Sequence, residues 1–353
     1  MAEKELIQYV DPGGNVDDAM LEKLPEDFLK KAYRLMVFTR LWNTKALSLQ
    51  RQGRMGTFAS VRGQEASNIG MGLALGADDW FCPSFRENGT MVARGIQPKD
   101  LFAYWAGDER GGKIPEGSRV LPVCITVGSH LAHAAGIAMA AKIRGEQIAV
   151  LSSSGDGSTS QGDFHEALNF AGVYKLPVVF AIQNNQWAIS IPYEKQTATE
   201  TIAEKAAAYG ITGRRVDGND VTAVYLTVKD LLDRARSDRE PALVELVTYR
   251  MDDHTTADDA SRYRTKEMVE DWLDKDPLDR IRKLLEAQLG WDESQDTQLT
   301  EECSAEVEQA VTDFEASPHP DPADIFNYMY AEEPWHLREQ REELLQGLGP
   351  DGR

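Results

Sequence analysis

The chain predicts an α/β fold, a mainly parallel sheet with helices on both faces, and three observations carry that reading. An apolar run, Ile148-Ala149-Val150-Leu151, breaks into Ser154-Gly155-Asp156-Gly157. Next, Gly162 to Val173 carries Phe164, Leu168, Ala171 and Gly172 at helical spacing. A second apolar run, Val178-Val179-Phe180-Ala181-Ile182, then ends in Asn184-Asn185. Together they read as a β-α-β unit with parallel strands and a right-handed crossover. Asp156 and Asn185 therefore emerge at the same carboxyl edge, where open α/β folds bind ligands.

The other elements follow in order. Residues 1–26 are an acidic tail, expected as a helical N-terminal extension; 27–264 form the ligand-binding body; 265–353 form a helical C-terminal extension with an acidic stretch from Asp292 to Pro322. A loop with Gly53 and Gly56 leads to Phe58, a candidate wall of a substrate pocket or a core aromatic. Gly63-Gln64-Glu65-Ala66 opens a helix, where an acid in the first turn is favourable. The apolar run Trp80 to Phe85 reads as a strand end that delivers Arg86 to the ligand edge. His130 and His133 lie three apart in a small-residue helix after Gly128. They lack a third ligand nearby and any His-Glu-x-x-His pattern, so no metal is assigned to them, and His130 is kept as a substrate-pocket candidate. The strand Ala242 to Thr248 delivers Arg250. Beyond it, the polar, aperiodic segment Asp252 to Arg264 reads as a surface loop carrying His254, mobile without a ligand.

Asp156 and Asn185 suit a hard cation shared with phosphates. Mg²⁺ takes near-octahedral oxygen ligands, with one or two from the protein and others from substrate phosphates. Asp156 offers a carboxylate and Asn185 an amide oxygen, while the N–H groups of Gly157 and Ser158 open a helix that favours a phosphate. Rival motifs fail on spacing. An EF-hand loop from Asp156 needs Gly and Glu where Gln161 and Ala167 stand, and a dinucleotide fingerprint from Gly155 needs a third Gly where Ser160 stands. Gly155-Asp156-Gly157 alone is also compatible with a plain polar turn; the double asparagine after the second strand argues against it.

Gly155-Asp156-Gly157, twenty-six residues and Asn184-Asn185 resemble the thiamine diphosphate motif. The run Ser158 to Ala171, Gly63-Gln64-Glu65-Ala66, Phe85-Arg86-Glu87, Val216-Asp217-Gly218-Asn219-Asp220 and Arg262-Tyr263-Arg264 resemble the α subunit of the E1 component of 2-oxoacid dehydrogenase complexes, pyruvate or branched-chain type. The likeness runs from about residue 20 to near the C-terminus. It implies a thiamine diphosphate-binding fold and an α2β2 assembly with an E1 β subunit. It also implies oxidative decarboxylation of a small 2-oxo acid, with the acyl group passed to a lipoyl arm of E2. By resemblance, Arg86 and Arg250 hold the diphosphate, the backbone near Val127 faces the cofactor, and Asp156, Asn185 and the Trp187 carbonyl hold Mg²⁺. Gly157 and Ser158 join the cofactor site, and His254 assists protonation or lipoyl acylation. Phe85 stands where the family usually has Tyr, so its carry-over is limited to packing. The glutamate that activates the cofactor is implied to come from the β subunit, not from Glu65. Thr255 matches a position phosphorylated in some animal relatives, but a hydroxyl alone implies no kinase. Ile114-Pro115-Glu116-Gly117 resembles pyruvate-type chains, whereas Val216 to Asp220 looks equally branched-chain. An acetoin dehydrogenase α subunit and a non-catalytic partner-binding homologue remain as alternatives.

Composition narrows the partners. A net charge of −20 argues against nucleic acid, because phosphate neutralisation needs basic surface. The acidity fits either a salt-rich cytoplasm or a surface that simply keeps the protein dissolved. Strongly apolar runs of membrane-spanning length are absent, and the start of the chain resembles neither a secretory signal nor a transit peptide, so a soluble cytoplasmic protein is expected. Cys82, Cys124 and Cys303 lack metal-ligand spacing and read as reduced thiols.

Overall fold

A computed structural model describes residues 5–318 and 320–348. Residues 1–4 and 349–353, the outer ends of the two expected extensions, and residue 319 lie outside them. The fold divides into two compact units, Met1–Val311 and Thr312–Arg353, each taken over its described residues. Eight strands are present in the first: β1 (Leu6–Ile7), β2 (Trp80–Cys82), β3 (Val150–Gly155), β4 (Val178–Asn184), β5 (Trp187–Ala188), β6 (Ile191–Pro192), β7 (Thr212–Asp217) and β8 (Ala242–Val247). Six form one sheet in the order β1-β7-β8-β4-β3-β2, parallel throughout, and β5 with β6 forms a small antiparallel hairpin.

β4 is buried along its whole length, which is why its stretch from Val178 to Ile182 is continuously apolar instead of alternating. On one face, Leu131, Ala134 and Ala138 of helix Ser129–Arg144 and Phe164 and Leu168 of helix Gly162–Tyr174 pack on Phe180, Ile182 and Leu243. Each of the larger ones, Leu131, Phe164, Leu168, Phe180, Ile182 and Leu243, contributes about 1.5–3 kcal/mol by leaving water. Elsewhere, helix Glu65–Ala74 packs against helix Val221–Asp238. Their approach is close because Gly70 has no Cβ; one would meet Val224 Cγ1 at 2.6 Å.

The N-terminal stretch holds a short helix, Asp18–Leu21, as expected of that extension, but it also adds an edge strand. Asp220 fixes it. Its Oδ1 caps helix Val221–Asp238 by accepting from Thr222 N and Ala223 N, and its Oδ2 accepts from Tyr9 N and Val10 N, both at 2.7 Å. Asp217 beside it accepts from Arg280 Nη1 at 2.7 Å and Gln8 Nε2 at 2.6 Å. The helices Pro277–Leu289 and Glu293–Glu315 occupy the C-terminal stretch. Within the second unit, Arg341 donates to Asn327 Oδ1 at 2.8 Å, joining helix Trp335–Gly347 to helix Asp324–Asn327. Among the described residues no helix is long and apolar enough to cross a membrane.

Candidate active site

A cavity of about 360 Å³ lies at the carboxyl edge of the sheet. Gly155 pairs with Gln183 across β3 and β4, so the next residues of both strands leave the ladder side by side. Asp156, Gly157 and Ser158 enter the cavity wall from β3, and Asn185 and Trp187 enter from β4. Arg86, Val127 and His254 reach it from loops. The sequence-predicted helix after Gly155 begins later than expected. Gly157 and Ser158 sit in a 3-10 turn, Asp156–Ser160, and the α-helix starts at Gly162. Gly157 is required there because a Cβ would meet that of Ala188 at 2.9 Å.

Asp156 is 1% exposed. Its Oδ2 accepts from Gln196 Nε2 at 2.8 Å, while its Oδ1 has no hydrogen-bond partner among the described residues. Burial pushes the carboxyl up to about 6, against the lowering effect of Gln196. A carboxylate so enclosed, with one oxygen unpaired, is an open ligand for a cation. Asn185 donates through Nδ2 to Gln64 Oε1 at 3.2 Å, and its amide oxygen receives Trp187 N at 3.3 Å. Asn184 plays a different part. It donates to the buried Glu245 at 2.7 Å and braces the strands. Among the described residues no group of three or more His, Cys, Asp or Glu is placed to hold a metal. The donor set at Asp156 and Asn185 therefore suits Mg²⁺ completed by phosphate oxygens, and thiamine diphosphate with Mg²⁺ fits the residues present.

Arg86 and Arg250 are both buried. Arg86 donates to the carbonyls of Ser60 and, at 3.0 Å, His254. Arg250 donates to Ile189 O at 2.8 Å, Tyr263 Oη at 2.7 Å and Trp187 O at 3.4 Å. Ile189 holds that carbonyl in place from a left-handed backbone, φ 56, rare for a β-branched residue. Burial, and then repulsion from Arg250, lowers Arg86 to about 10. Buried guanidiniums bonded to neutral acceptors form a site for an anion, and their fixed forks match phosphate oxygens.

His254 Nδ1 lies 3.3 Å from Arg86 Nη2 and 3.4 Å from Arg250 Nη1. Guanidiniums only donate, so Nδ1 accepts and the neutral ring carries its proton on Nε2. Burial, followed by the charges of Arg86 and Arg250, pushes this histidine down to about 4. Its loop is tied in several places. Tyr263 Oη joins Arg250 to Asp258, Arg264 donates to the carbonyls of Arg250, Met251 and Asp252, and Thr256 N donates to Phe58 O at 2.9 Å.

Two substrate-pocket candidates do not reach the cavity. The Phe58 ring is fully buried between Trp42 and Trp105, with centroids 5.6 and 5.2 Å away; its neighbours Thr57 and Ala59 line the wall instead. His130 is 1% exposed, and its Nε2 meets Ser153 O at 2.8 Å beneath the sheet edge. Burial lowers it to about 4, so it is a neutral core histidine. Glu65 is also withdrawn: it pairs with Arg40 and accepts from Gly63 N at 2.9 Å. Sequence reasoning missed Gln64, Glu87 and Gln183, which line the cavity, and Gln196. Glu87 and Gln183 do adjoin motif residues, Arg86 and Asn184, but Gln196 carries no local signal.

A family model described as "Dehydrogenase E1 component" matches residues 33–323. Pyruvate dehydrogenase E1 component subunit alpha of Acholeplasma laidlawii is 45% identical over 94% of this chain and 96% of its own length. The protein of the same name from Bacillus subtilis is 40% identical over 94% and 89%. The 3-methyl-2-oxobutanoate dehydrogenase subunit alpha of Mycobacterium tuberculosis is 41% identical over 96% and 93%.

Proposed function

The chain belongs to the dehydrogenase E1 component family, and from that premise we propose that it is the α subunit of a 2-oxoacid dehydrogenase complex. Its reaction is the oxidative decarboxylation of a 2-oxo acid, with acyl transfer to the lipoyl group of E2. Pyruvate is favoured and a branched-chain 2-oxo acid comes next, following the relatives named for each. One observation carries the reading: a carboxylate with an open oxygen, Asp156, shares a cavity with Arg86 beside the buried Arg250.

Thiamine diphosphate supplies the electron sink for loss of CO₂. This chain's residues bind and orient. Asp156, Asn185 and the Trp187 carbonyl hold Mg²⁺, and Arg86 and Arg250 fix the diphosphate with Gly157 and Ser158 beside it. His254 is neutral, so its Nε2–H is a donor near neutral pH, while its Nδ1 lone pair faces Arg86 and Arg250. Ile125, Val127 and Ile189 line the cavity yet are exposed in the single chain. An E1 β subunit covering them would exclude water and bring the activating carboxylate.

Calorimetric titration of thiamine diphosphate with Mg²⁺ into the α–β complex tests this. Asp156→Ala should abolish binding while the complex still assembles; unchanged affinity would sink the metal assignment. Turnover of a panel of 2-oxo acids by the wild-type complex decides the substrate.

A further inference from the structure

Glu87 is buried in the wall of the cavity, next to the arginine assigned to the diphosphate. A carboxylate there is costly twice over: burial pushes it up to about 7, and its charge opposes an incoming anion. Its contacts explain why an acid occupies the place. Oε2 accepts from Arg86 N at 3.1 Å, and Oε1 accepts from Gln183 Nε2 at 2.8 Å and Ser153 Oγ at 3.1 Å. All three groups act as donors to it, which an ionised carboxylate can satisfy and an amide cannot. Gln183 is fully used as well, because its Oε1 receives Asn68 Nδ2 at 3.1 Å.

Ser153 lies on β3 three residues before Asp156, and Gln183 lies on β4 two residues before Asn185. Glu87 therefore hitches the main chain of Arg86 to the two strands that deliver the metal ligands. We propose that Glu87 is a positioning residue that sets the placement of Arg86 relative to the Asp156–Asn185 edge, and so governs affinity for the diphosphate. This rests on the diphosphate reading of the cavity given above.

The test is titration of thiamine diphosphate with Mg²⁺ into the full chain assembled with its β subunit and freed of cofactor, with thermal melting of each variant alongside. Glu87→Gln should weaken binding tenfold or more, which is about 1.4 kcal/mol, with kcat at saturating cofactor within about twofold of wild type. The exchange Glu87→Gln with Gln183→Glu restores a donor facing an acceptor across the same gap, and it should recover most of the lost affinity. Arg86→Ala serves as the control for the site itself. Wild-type affinity in Arg86→Ala would overturn the diphosphate reading. Wild-type affinity in Glu87→Gln, with Arg86→Ala impaired, would overturn the positioning role alone. A loss in Glu87→Gln that tracks its loss of melting temperature, with no rescue by the exchange, would also overturn it.

Discussion

Without cofactor, His254 stays neutral down to about pH 4, because it is partly buried and, second, because its Nδ1 faces Arg86 at 3.3 Å and Arg250 at 3.4 Å. Diphosphate held by those arginines offsets their charge, the lesser cause of the shift, so the imidazole rises toward its ordinary value of about 6.5 while burial still holds it below that value. Binding should therefore take up a proton. With about 4 free and an upper limit of about 6.5 bound, the His254 contribution multiplies affinity by at most about 11 at pH 5.5 and about 1.1 at pH 7.5. His254→Asn abolishes that contribution. Asp258, whose Oδ2 accepts from His254 N, and Asp156, near 6, are present in both proteins, as is the ligand's own titration, so these cancel in the ratio of dissociation constants. The assay is calorimetry on the cofactor-free α–β complex at both pH values, in two buffers of different ionisation enthalpy. The ratio of variant to wild-type dissociation constants should rise on acidification, by up to about tenfold, with extra proton uptake by wild type at the lower pH. A ratio independent of pH would refute the coupling of this ring to the two arginines. Stability follows the same sign. The fold depresses this pKa, so the cofactor-free protein binds fewer protons than its unfolded chain and loses stability as pH falls from about 6.5 toward 4.

Two further outcomes are expected. Trypsin should cut the cofactor-free complex at Arg262, which is exposed in the loop, in preference to Arg264, which is tied to three carbonyls, and cofactor should slow that cut; equal rates with and without cofactor would remove the gating idea. Arg280→Ala leaves Asp217 without its ion-pair partner and loosens the Val10 carbonyl, so urea unfolding should show a loss of about 3 kcal/mol, the lower end for a broken buried pair because Asp217 keeps some water; a loss under about 1 kcal/mol would show that the latch is ornamental.

The β-α-β core was legible because its periodicity and its punctuation agreed. The apolar run Ile148 to Leu151 leads into buried β3 and the run Val178 to Ile182 fills most of buried β4, and the cavity-lining Asp156 and Asn185 follow within a few residues of the end of each run. That Arg86, Asp156, Asn185 and His254 come to one cavity was legible for the same reason: each follows a strand closely or lies on the loop after one. Edge strand β1 was not legible. Two residues carry no period, and their place is fixed by Asp217 and Asp220, more than two hundred positions away. Whether Phe58 and His130 faced a pocket or the core stayed open, because sequence shows which loop or helix approaches the edge but not which way a ring turns. Aromatic packing on Trp42 and a carbonyl at Ser153 decided those orientations. Gln196 was invisible, since it reaches Asp156 across 40 positions through the hairpin fold.

Because Gly155 pairs with Gln183, Asp156 and Asn185 leave the sheet side by side, which makes their spacing a property of the ladder between β3 and β4, not of the segment that joins them in sequence. The turn at the opposite end of that segment, around Lys175 with φ 48, is remote from the edge where the ligands lie and can absorb added residues without moving either one. A chain cut there would still present both oxygens together, because the pairing of β3 with β4 holds them. The two halves of this site are thus separable genetically while remaining a single object physically.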